Sequence, residues 1–261
     1  VTQHVDATAA LPDLYAGLLE AVPRGEDAQI ETGLIVYEHD GVALEGYYAK
    51  DASQLGPRPA VMLLHDWTGV GDNVRMRAQM LARLGYFAFA ADIYGQGVHV
   101  TGDAASAEVH KYYGDLPLLR SRVRAGFDAL AARDEVDASR IAVLGYCFGG
   151  TATLEFARTG APARGFASFH GGLITHEPSD AAAIAAPLLI MTGASDPVIP
   201  DETVVAFQNE LRTAPDVDWS VISYSGAPHA FTVPGGHGYR AKADSRSWRE
   251  LVGFLEETIA A

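Results

Sequence analysis

The sequence has a single cysteine, Cys147, in 261 residues, so no disulfide can form within the chain and the count selects no redox compartment. It lacks any apolar run of membrane-span length, and it lacks a basic, then apolar, then small-residue leader. The chain begins at Val1, which leaves a processed leader open; a cytoplasmic location is the expectation. Basic residues are scarce: 19 Lys and Arg stand against 33 Asp and Glu, for a formal net charge of −14. That balance argues against nucleic acid or anionic membrane as a partner, because both recruit basic patches. Repeats, low-complexity tracts and Pro/Ser-rich linkers are also missing. What remains is an ordinary globular composition, 48% hydrophobic, on a chain long enough to bury a large core.

Periodicity divides the chain into alternating strands and helices. Leu11 to Ala21 reads as a short amphipathic helix and Pro23 to Asp27 as its exit. Gly33 to Glu38 and Val42 to Tyr48 flank His39-Asp-Gly41, a hairpin signal. Ala60 to Leu64 and Tyr86 to Ala90 are short apolar runs of the kind buried on both faces, separated by a helical stretch from Asp72 to Leu84 that ends at Gly85. Residues 96–115 are irregular and could cover a site. A long helix over Leu116 to Ala132 tolerates Pro117 in its first turn. Strands follow at 141–144, 165–169, 187–192 and 218–224, with helices after the first, over 201–212, and over about 243–259. The expected class is α/β: a mostly parallel central sheet flanked by helices on both faces, with the antiparallel hairpin at its N-terminal edge. Residues 1–33 form an N-terminal helix and extension in this reading, and 34–261 a single domain. Chemistry in such sheets collects beyond the carboxyl ends of the strands.

Three of those strand ends carry suitable groups. Cys147 lies in Ile141-Ala-Val-Leu-Gly-Tyr-Cys-Phe-Gly-Gly150, a buried strand running into a glycine-framed turn. Gly-x-nucleophile-x-Gly is the layout of a nucleophile elbow, here with a thiol. Alone, the cysteine would read as buried core. Asp196 follows the strand ending at Thr192, and His229 follows the strand ending at Tyr224. Alone, Asp-Pro is a turn dipeptide and a histidine after proline caps or packs, and the chain has nine histidines. Jointly, the order nucleophile, acid, histidine is that of α/β-hydrolases. An imidazole within reach raises the reactive thiolate fraction, and a carboxylate on its far nitrogen fixes the tautomer. A fourth loop, Leu63-Leu-His-Asp-Trp-Thr-Gly69, can supply an oxyanion-hole donor, so the candidate donors are the backbone N–H groups of Trp67 and Phe148. His65 and Asp66 lack further partners at metal-ligand spacing.

Together these residues resemble the dienelactone hydrolase family, a cysteine-nucleophile branch of the α/β-hydrolase fold. The resemblance runs from roughly Leu34 to Leu255. It rests on His65-Asp-Trp-Thr-Gly69, Ala91-Asp-Ile-Tyr94, Gly145-Tyr-Cys-Phe-Gly-Gly150, Gly193-Ala-Ser-Asp-Pro197 and His229-Ala-Phe231. The segment around Cys147 is specific; the others are weak singly and strong together. The resemblance implies a catalytic triad of Cys147, Asp196 and His229. It also implies a carboxylate that contacts the resting thiol and modulates it, a glutamate in better-studied members and Asp66 here; the alternative is that Asp66 only caps its loop. Dienelactone-specific members hold the substrate carboxylate with two arginines, and the matching positions here are Gln96 and Val233. Neither can make the bidentate bond an arginine makes. Trp67, Tyr94, Phe148, Phe169 and Phe231 could wall an apolar pocket, or be core, the reading preferred for Phe169.

The expected activity is therefore hydrolysis of carboxylic esters or lactones through a thioester, in the carboxymethylenebutenolidase class but with altered substrate preference. No cofactor or metal is called for, and the expected partner is a small-molecule ester or lactone, with the protein a monomer or small homo-oligomer. Two rivals stand beside it. One is a redox- or peroxide-reactive thiol on the same fold, although no resolving cysteine exists in the chain. The other is a non-catalytic binding module, which the intact set of three residues disfavours.

Overall fold

A computed structural model describes residues 10–260; residues 1–9 of the expected N-terminal extension, and residue 261, lie outside the described residues. The described residues carry eight strands of a mostly parallel sheet with helices on the connections, the expected class. The chain divides into two compact units at Ile141/Ala142.

The first unit opens with a turn of 3-10 helix at Asp13–Tyr15 and a short α1 (Ala16–Glu20), less than the helix expected over Leu11 to Ala21. β1 (Ile30–His39) and β2 (Val42–Asp51) form the antiparallel hairpin. Its two turn residues, Asp40 and Gly41, both have positive φ, the I′ geometry that matches strand twist. β3 (Arg58–Leu64) runs parallel to β4 (Phe87–Ala91), and β4 also pairs antiparallel with β2, giving the order β1-β2-β4-β3. β4 is buried at every position, as its continuous apolar sequence demands.

Between β3 and β4, α2 (Asp72–Arg83) ends in a Schellman motif: Gly85 N–H donates to Ala82 O and Tyr86 N–H to Leu81 O. α2 reaches Tyr47, whose ring lies under Arg75 and whose hydroxyl accepts from Gln79. α4 (Leu116–Ala131), capped by Asp115 on Leu118 N–H, sets Gly126 against Ala91. Tyr47 is in register with Ala90, and Ala91 points to the other face, so α2 and α4 cover opposite faces.

In the second unit β5 (Val136–Tyr146, begun in the first), β6 (Gly165–Phe169), β7 (Leu188–Gly193) and β8 (Trp219–Tyr224) pair in parallel and in sequence order. α5 (Phe148–Ala157) meets β6 on one face, where Phe156 packs edge-on against Phe166 at 6.3 Å. α7 (Ala241–Leu255) meets the other, with Phe254 where a Cβ on Gly165 would stand. Burying Phe156 and Phe166 contributes about 1.5–3 kcal/mol each relative to exposure. α6 (Asp201–Leu211) fills the connection from β7 to β8.

Other expectations shift as well. Residues 96–115 are not irregular throughout: they hold α3 (Asp103–Tyr113), which buries Ala105, Val109 and Tyr112, a spacing of i, i+4, i+7. β5 starts five residues before 141, with Asp137 accepting from Ser139 N–H in its polar first half. β1 begins at Ile30, three residues before the strand expected from Gly33.

Candidate active site

Cys147 sits between β5 and α5 with φ 53° and ψ −115°, a conformation that costs an ordinary residue about 1–3 kcal/mol. The surroundings impose it. Cys147 N–H donates to Phe169 O at 2.9 Å, and Thr151 N–H donates to Cys147 O at 3.1 Å to start the helix. Gly145 must be glycine, because a Cβ there would lie 2.1 Å from Gly149 O. Cys147 is the N-cap of α5, which places Phe148 at the first position of the helix.

Asp196 follows β7 and is buried. Its Oδ1 accepts from Val198 N–H at 2.8 Å and Ile199 N–H at 3.1 Å, which leaves Oδ2 aimed at His229 Nδ1 at 2.8 Å. His229 Nε2 in turn lies 3.1 Å from Cys147 Sγ. The loop that carries His229 is fixed by close backbone approach: Ser195 N–H donates to Ala227 O, and a Cβ on Gly193 would stand 2.3 Å from that oxygen. Ala230, the next residue, has φ 57°. The structure thus brings together three residues drawn from three strand ends.

Burial works to lower the His229 pKa, but the hydrogen bonds to Asp196 and then to Cys147 outweigh it and raise it to about 10. The imidazole is therefore held as imidazolium at neutral pH. The arrangement can deliver a nucleophile, a proton on Nε2, and a fixed tautomer.

In the first unit, the 65–69 loop and the segment after β4 are brought together. His65 Nε2 accepts from Ile93 N–H at 3.1 Å while Nδ1 meets Asp66 O at 2.6 Å. Burial lowers the His65 pKa to about 4, so this ring stays neutral and supports the loop. Tyr94 donates to Trp67 O and stacks on Tyr112, and Gly69, with φ 95°, passes close to Val98 O. Asp66 Oδ1 accepts from Thr68 N–H and Oγ1, the capping role weighed above. Trp67 is exposed, whereas Tyr94, Phe148 and Phe231 have buried side chains. Gln96 donates to Glu45 Oε2 at 2.8 Å, and Val233 is half-buried in the histidine loop. Among the described residues no cluster of three or more His, Cys, Asp or Glu could hold a metal ion, and no helix is long and apolar enough to cross a membrane.

Sequence reasoning passed over His170. It directly follows β6, is fully buried, and sets its ring 5.3 Å from that of His229, with Nε2 2.8 Å from Thr232 Oγ1. Its only sequence signal is a place at a strand end, in Phe169-His-Gly-Gly172.

Comparison with known proteins finds hydrolases of the same fold. A dienelactone hydrolase-like promiscuous phosphotriesterase from metagenomic libraries is 37% identical, with a TM-score of 0.84 over 88% of this chain and 98% of the other. Two curated enterobacterial relatives carry the name "Putative carboxymethylenebutenolidase". The one from Salmonella typhimurium is 26% identical over 88% of this chain and 89% of its own length. The one from Escherichia coli K12 is 25% identical over 92% of each. The dienelactone hydrolase family profile matches residues 44–259, and the chain belongs to this family of α/β-fold hydrolases.

Proposed function

We propose that this hydrolase cleaves carboxylic esters or lactones through a thioester on Cys147. The observation that carries the reading is the continuous hydrogen-bond chain from Sγ through the His229 ring to Asp196, at 3.1 and 2.8 Å. The Cys147 thiolate attacks the carbonyl carbon, and the carbonyl π pair moves to oxygen. Phe148 N–H is one donor for that oxyanion, and the reading calls for Trp67 N–H as the second, each worth about 3 kcal/mol. The tetrahedral intermediate expels the alkoxide, which takes the proton from His229 Nε2. Neutral His229 then takes a proton from water as the hydroxide attacks the thioester. Collapse releases the acid and returns the thiolate–imidazolium pair. Asp196 holds the Nδ1–H tautomer throughout.

The preferred substrates in this reading carry no free carboxylate near the acyl group. Gln96 supplies no cation, its amide is engaged by Glu45, and Val233 is apolar. A second class enters from similarity to a protein named for phosphotriester hydrolysis, since thiolate attack at phosphorus would use the same nucleophile and the same proton.

The test is a panel of an activated neutral ester, a simple lactone, a carboxylate-bearing dienelactone and a phosphotriester. Wild type, Cys147→Ala and His229→Ala are compared. Both variants are expected to lose about a thousandfold in kcat/KM or more, and wild type quenched during turnover gains the mass of the acyl group on Cys147. Undiminished turnover in Cys147→Ala would sink the mechanism. A higher kcat/KM on the dienelactone than on the neutral lactone would sink the substrate preference.

A further inference from the structure

His229 is held in place by two hydrogen bonds, to Asp196 and to Cys147, and the reaction proposed above removes one of them. Once Cys147 is acylated, its sulfur is a thioester, a feeble acceptor with no proton and no charge. Nε2 then has only the incoming water, and the ring must keep its orientation through deacylation on the Asp196 bond alone. What stands behind the ring therefore decides how often it is aimed correctly in the second half of the cycle.

Behind it is His170. The two imidazoles meet edge to face, with centroids 5.3 Å apart and planes at 65°. The His170 ring also meets Phe231 at 5.3 Å and 77°, so it fills the space between the residue that acts and one two positions on. Its Nε2 lies 2.8 Å from the hydroxyl of Thr232, three positions after His229, and both side chains are fully buried. The loop so gripped includes Ala230 at φ 57°, a conformation a non-glycine residue leaves readily when released. His170 is itself anchored at the end of β6 by its N–H on Met191 O.

Resting on the thioester reading, we infer that His170 and Thr232 are positioning residues for deacylation: the pair backs and tethers His229 while its bond to sulfur is absent. In the resting enzyme the sulfur bond does this work, so acylation is little affected. The kinetic signature follows. Slowing only deacylation lowers kcat and KM together and leaves kcat/KM, which reports acylation, unchanged. A structural role would instead lower stability or kcat/KM.

The experiment uses Thr232→Val, which removes the hydroxyl at nearly constant volume, Thr232→Ser, which keeps it, and His170→Phe, which keeps a ring and loses the hydrogen bond. Thermal melts accompany each. Thr232→Val and His170→Phe are expected to lose about tenfold in kcat and in KM, with kcat/KM within about twofold of wild type. Acyl-enzyme accumulates in the mass spectrum, and Thr232→Ser restores wild-type rates. The double variant is no worse than either single one, because each breaks the same contact. Unchanged kcat, a fall in kcat/KM without acyl-enzyme, or additive losses would each overturn the inference.

A second readout needs no turnover. Alkylating Cys147 with iodoacetamide takes away the sulfur partner as acylation does. The downfield proton resonance of His229 Nδ1–H is then expected to stay sharp in wild type and to broaden or vanish in Thr232→Val. A sharp resonance in the alkylated variant overturns the tether. Absence of any acyl adduct in wild type, with the resonance behaving as expected, rejects the thioester reading and leaves the tether standing.

Discussion

Three effects of different sign set the charge on His229. Burial favours the neutral ring, while the Asp196 carboxylate and then Cys147 favour imidazolium, and the second pair prevails with a pKa near 10. Because this lies above the ordinary value of 6.5, proton binding stabilises the folded state. That stabilisation is fully present below pH 6.5 and is lost as pH rises through about 10. Denaturant unfolding of wild type and His229→Gln between pH 5.5 and 10 should show a difference in folding free energy that shrinks by about 1–3 kcal/mol toward the alkaline end. A difference that is flat or grows with pH would reject the charged imidazole. His229 is legible in the sequence because its strand, its turn and its neighbours Ala230 and Phe231 are contiguous. His170 is not, because what distinguishes it is Thr232, sixty-two positions away, and no local pattern records that contact.

At the level of elements, α5 carries the nucleophile at one end and a buried cation at the other. Arg158, the C-cap, donates to Glu210 of α6 through both terminal nitrogens, at 2.7 and 2.9 Å. It also reaches Asp180 Oδ1 and Ile174 O in the long connection after β6. Burial alone would lower its pKa, but the Glu210 and Asp180 bonds raise it, so the guanidinium stays charged. Glu155, one turn back and fully buried, takes His176 Nε2 at 2.8 Å. Arg158→Met would leave the buried Glu210 without its cation, at an expected cost of about 3–5 kcal/mol in urea unfolding. Arg158→Met with Glu210→Leu should recover part of that loss, since the pair is removed together. A single variant as stable as wild type would show the network to be dispensable.

Which elements the sequence reveals follows the same logic of local against distant cause. The hairpin, the continuous apolar strands and the elbow are written in turn residues and period. α3 was hidden by flanking glycines and polar residues although its Ala105, Val109 and Tyr112 hold helical spacing. The first half of β5 is not legible because Asp137 to Arg140 carry no apolar pattern.

Across the whole molecule, the net charge of −14 acts on every approaching substrate before any side chain touches it. An anionic ester is repelled, and salt relieves the repulsion: the screening length falls from about 30 Å at 0.01 M to about 8 Å at 0.15 M. A neutral lactone feels no such force. Over that range kcat/KM for a carboxylate-bearing substrate is therefore expected to rise about two- to fivefold, while that for the neutral lactone stays flat. Initial rates at a fixed, low substrate concentration are enough to read this. The experiment also separates the global field from the local site. If an unrecognised cation held the substrate carboxylate, salt would weaken that attraction, and kcat/KM for the anionic substrate would fall. A fall would therefore reject the reading of Gln96 and Val233 as positions that offer an anion nothing, whereas a rise with salt is what a chain of this charge imposes when no cation waits at the site.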